Sequence, residues 1–234
     1  YITSLIVDAD SAAKLAKPRW DASPIQRAKA SAKLAYPSYG GDPMGVLGRD
    51  LEWLLSNRDP RFATPTPAML DVATPAGFRK VWEPLLKQGP IEVDVFGDID
   101  KAATIEALNR TFGALPPRQP IPPDARARDL SFPAPTAQPV VLHHTGDADQ
   151  AAAVVAWPTG GGSAMLPESR KLELLGEVFQ NRLMDAMREK AGASYSPQVQ
   201  SSWPADLDRG GRLTVMAQLS PALVPEFFSA ASKI

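Results

Sequence analysis

The chain contains no cysteine. Disulfides, thiolate metal sites and a cysteine nucleophile are excluded together. The redox compartment stays open, because proteins of either compartment can do without the residue. Histidine is nearly absent too, with two copies side by side, His143 and His144. On a strand, neighbouring side chains point to opposite faces, so the pair is poorly placed to chelate one ion. A zinc peptidase needs two His on one helical face, a third ligand and a nearby Glu. Neither His-Glu-x-x-His nor its inverse, His-x-x-Glu-His, occurs. No catalytic zinc is therefore expected in this chain, and no residue of it is assigned as a metal ligand.

Other absences narrow the field. No run approaches the roughly 18 apolar residues that a membrane-spanning helix needs. No dense Lys/Arg run appears and the formal net charge is -1, so there is no bulk electrostatic case for nucleic acid or an anionic membrane. Gly-x-Ser-x-Gly is missing, and Gly162-Ser163 has no downstream His to act as base. Gly160-Gly161-Gly162 lacks the Lys-Ser/Thr of a phosphate loop and reads as a flexible connection. The chain opens on Tyr1-Ile2-Thr3 with neither initiator Met nor basic n-region, and stops inside a helical pattern at Ala230–Ile234. The expectation is a fragment of a longer protein, with any targeting signal outside it.

What is present is enough for a packed fold. The 234 residues are 44% apolar and 22% charged, a globular balance that allows one large domain or two ordinary ones. Eight prolines fall between Pro116 and Pro139. Each removes an amide donor and disfavours helix in the residue before it. This predicts three segments: a first α+β domain over 1–117, a Pro-rich linker over 118–139, and a second α+β domain over 140–234. No short internal repeat is visible.

In the first segment Met44, Leu47, Leu51, Leu54 and Leu55 fall at helical spacing. Thr74 and Pro75 read as N-cap and first residue of another helix, with Phe78, Val81, Trp82 and Leu85 on one face and a bend possible at Pro84. Ile91–Asp100 alternates apolar residues with acids, which predicts a half-buried strand. A helix through Ile105, Leu108 and Phe112 should end at Gly113. In the last segment Val140–His144, a turn at Gly146–Asp149 and Ala151–Trp157 predict a hairpin. Pro167 opens a long helix with Leu172, Leu175, Val178, Phe179, Leu183 and Met187 along one face, stopped by Gly192. Strands are predicted over Tyr195–Trp203 and Arg212–Leu219, joined by a turn at Asp208-Arg209-Gly210-Gly211, and a last helix after Pro221. Strands in hairpins with helices packed on one face spell α+β.

The remaining candidate for chemistry is Met187–Ser196. Arg188 sits in the last predicted turn of the long helix, Gly192 breaks it, and Tyr195 opens the next strand. Arg offers a rigid fork of donors and Tyr one directed hydroxyl. Together they suit the carbonyl oxygens of an extended peptide, or the oxyanion formed when a peptide carbonyl is attacked. A bland reading stands beside it: Arg complements the helix dipole and Tyr packs as a strand aromatic.

Three segments carry a family resemblance. Gly89–Asp100 followed by Phe112-Gly113-Ala114-Leu115-Pro116, then Asp149-Gln150-Ala151, then Arg188–Ser196 resemble, in order, passages of the pitrilysin/insulinase-like zinc peptidases, the inverzincins. The likeness covers most of 60–234 and falls on the C-terminal half, which carries the Arg/Tyr motif. In that family two homologous halves, each of two α+β domains, close around a peptide. One half brings zinc through His-x-x-Glu-His, and the other brings the Arg and Tyr. The resemblance implies a first unit that is incomplete and a second that is truncated. It implies that Arg188 binds a substrate carbonyl, and that Tyr195 binds the scissile region and stabilises the oxyanion. The implied partners are a peptide or unfolded polypeptide, bound as an added strand, and a zinc-bearing half on the same longer chain or a separate subunit. Such a chain would be inactive alone, and bacterial relatives imply a periplasmic or envelope location. Two alternatives are a structural or assembly subunit of the same fold, and a peptide-binding module that needs no zinc partner.

Overall fold

The computed structural model describes residues 20–122, 130–136, 138–191 and 197–234, with the backbone alone for 189–191. The fold is α+β. Two compact units divide it, one of Tyr1–Ala32 with Pro67–Pro123, the other of Lys33–Thr66 with Asp124–Ile234. The segment 33–66 thus groups with the C-terminal residues.

The first unit holds most of α1 (Ala22–Ala35), α3 (Pro67–Val72), α4 (Pro75–Leu85) and α5 (Lys101–Arg110); α2 (Pro43–Leu55) belongs to the second unit. Thr74 caps α4 as its sequence requires, its hydroxyl accepting from Gly77 N at 3.0 Å with Pro75 next in line. The helix ends at Leu85, one residue after Pro84. Lys29 reaches carbonyls at the C-terminal end of α3, donating to Ala73 O at 2.5 Å and Asp71 O at 3.3 Å. Arg118 does the same beyond α4, donating to Leu86 O at 2.6 Å, Gly89 O at 2.5 Å and Gln88 O. Gly89 and Gln119 add a backbone bond of 2.9 Å, so the first residues of the Pro-rich stretch are docked.

Two expectations fail in this unit. Ile91–Asp100 forms no strand and pairs with none among the described residues. Alternation supplies an amphipathic segment, whereas a strand also needs a neighbouring ladder, which alternation cannot supply. The helix predicted to end at Gly113 closes at Arg110, and Phe112–Ala114 forms a separate 3-10 turn.

The second unit contains α2 (Pro43–Leu55), β1 (Ala151–Gly160), α6 (Leu166–Ala191), β2 (Gln198–Ser202), β3 (Arg209–Leu219) and α7 (Val224–Ala231). The three strands form an antiparallel sheet in the order β1-β3-β2, with Val155 opposite Val215 and Val199 opposite Val215 on its other side. Helices α6 and α7 cover one face. Phe179, Leu183 and Met187 from α6 meet Ala153, Val215, Ala217 and Leu219 of the sheet and Phe227 of α7. Leu183, Val215 and Phe227 are fully buried; each large apolar side chain removed from water stabilises the fold by about 2 kcal/mol. α2 starts at a capped end, where Asp42 Oδ1 accepts from Gly45 N at 2.8 Å, and its Glu52 pairs with Arg212 of β3.

Here too the structure departs from the sequence pattern. Val140–His144 is not a strand, and Thr145 N donates to Gly40 O at 2.8 Å in place of a hairpin rung. The turn predicted at Asp208–Gly211 moves back to 203–208, so Arg209–Gly211 lie inside β3. A Cβ on Gly211 would stand 2.1 Å from Gly160 O and 2.9 Å from Ser202 O, so two backbones crowd this point and only glycine fits. Gly160-Gly161-Gly162 is no flexible loop either. Gly161 and Gly162 are buried, Gly162 N donates to Pro204 O at 2.8 Å, and Trp203 Nε1 donates to Gly162 O at 3.1 Å. The glycines are there for close backbone packing. On α6, Leu175 and Val178 are exposed, and the buried seam instead runs through Gly176, Phe179, Leu183 and Met187.

Candidate functional site

The site begins with the long helix. The seam on α6 repeats at three- and four-residue steps, which seats one face of the helix on β2 and β3. Gly176 faces Val199 and Leu213, where a Cβ would make ordinary contacts of 3.5 Å with Val199 Cγ1 and 3.6 Å with Leu213 Cδ1. Four residues on, Gln180 Oε1 accepts from Val199 N at 3.1 Å. That bond ties α6 to the backbone of an edge strand.

The last seam residue, Met187, is 1% exposed, and it fixes the helix rotation at the position before Arg188. Arg188 therefore leaves the helix on its exposed side, in the last turn of an element that runs to Ala191. There a cation also complements the negative end of the helix dipole. Tyr195 and the helix breaker Gly192 lie outside the described residues, as does the start of the predicted strand Tyr195–Trp203; its described part, Gln198–Ser202, is β2. Pro197, just before β2, is fully buried.

The histidines resolve differently from one another. His143 is exposed. His144 Nδ1 accepts from Gly146 N at 3.2 Å, and an amide can only donate, so the proton is on Nε2 and is given to Gln150 O at 2.9 Å. Both ring nitrogens of His144 serve the 144–150 loop. Among the described residues no three His, Cys, Asp or Glu side chains gather as a metal-holding group.

Gln180 was passed over in reading the sequence. Its signal was available, a polar residue at a seam position between Gly176 and Leu183, but its partner is a strand amide that no local pattern reveals.

The family model described as the peptidase M16 inactive domain matches residues 78–231, more than half of the chain. The chain belongs to the peptidase M16 family. No curated protein matches. Among solved structures, the M16 inactive domain from Pseudomonas fluorescens is similar with a TM-score of 0.62 at 17% identity, over 93% of this chain and 53% of that one. A variant of the ferredoxin protease FusC, solved in complex with Arabidopsis ferredoxin, is similar with a TM-score of 0.51 at 16% identity, over 81% of this chain and 20% of that one. At such identities the likeness speaks to the fold. The M16 chain spans about half the length of the Pseudomonas structure. The missing His-x-x-Glu-His agrees with a match to the family's inactive domain, which places no catalytic zinc in this chain.

Proposed function

We propose that this M16 chain is the substrate-holding half of a metalloendopeptidase, working only with a His-x-x-Glu-His half that supplies zinc and the general base. The observation that carries the reading is Arg188. The packed helix holds it at its C-terminal turn as an exposed residue, inside the sequence Arg188–Ser196 that resembles the family's Arg/Tyr motif. In this reading Arg188 donates to a carbonyl of an extended peptide, and the Tyr195 hydroxyl donates to the oxygen that becomes negative as the scissile carbonyl is attacked. The Tyr195 hydroxyl acts where charge develops, so its effect falls on turnover, whereas Arg188 holds and positions the peptide that is attacked. The zinc, when bound by the other half, polarises that carbonyl and activates water.

Tyr195→Phe tests the assignment, since it deletes one hydroxyl and little else. In the assembled two-half enzyme it should lower kcat by a factor of about 10² to 10³. Unchanged kinetics would remove Tyr195 from the mechanism and favour a structural role for the chain.

A further inference from the structure

We draw no further inference here: the strongest candidate, the surface patch of exposed Leu174, Leu175 and Val178 on the long helix α6, carries nothing because nothing in the structure shows what covers it.

Discussion

The side-chain carbonyl of Gln180 accepts the backbone amide of Val199 at 3.1 Å, joining the long helix α6 to the outer side of strand β2. Edge strands expose unpaired amides that invite unwanted pairing. Here one such amide is occupied by a helix side chain, and the same bond fixes the helix from which Arg188 projects. Gln180→Leu should leave the partly buried Val199 amide unpaired and cost about 1–3 kcal/mol. Gln180→Glu, which keeps an acceptor, should recover most of it. Urea unfolding of the two variants measures the difference, and equal losses would show that the bond contributes nothing.

Burial separates the structural from the functional residues of α6. Leu183 is fully buried between sheet and helix, so Leu183→Ala should cost about 2–5 kcal/mol. Arg188 is exposed, and Arg188→Ala should change stability by no more than about 0.5 kcal/mol. A large loss of stability in Arg188→Ala, read by the same unfolding curves, would mean that the guanidinium is structural.

The fold carries a mild acid sensitivity in α4. Arg79 Nε donates to Glu83 Oε2 at 2.7 Å, and this hydrogen bond is the main cause that holds the Glu83 carboxyl below the usual glutamate range. A carboxylate whose folded pKa lies below its unfolded one stabilises the native state above the unfolded value. That contribution is lost as the pH falls through the folded pKa. Arg79→Gln should therefore raise the Glu83 titration midpoint. Carboxyl NMR reads it directly, and an unmoved midpoint would deny the coupling.

Much of this fold was legible in local sequence. Thr74 with Pro75 announced α4, the run from Pro167 announced α6, and Pro221 announced α7, because caps and helical periodicity are local signals. What local pattern could not show was pairing. Ile91–Asp100 and Val140–His144 have strand-like composition but no ladder among the described residues. Gly210 and Gly211 look like a turn, yet they sit in β3, where Gly160 O and Ser202 O leave no room for a side chain at Gly211. On α6 the apolar residues outnumber the seam positions, so Leu175 and Val178 were counted into a core they do not reach. For the candidate site, Arg188 on an exposed helical turn follows the sequence reading, while Gln180 required the strand that it touches.

The central claim is that this chain holds a peptide for zinc chemistry performed elsewhere. The direct measurement is peptide cleavage by a zinc-bearing M16 half, with and without this chain, using wild type and Arg188→Ala. The account predicts no cleavage by this chain alone and strong stimulation of the zinc half by wild type. Stimulation should drop by a factor of about 10² with Arg188→Ala. Cleavage by the isolated chain, or equal stimulation by wild type and Arg188→Ala, would contradict it.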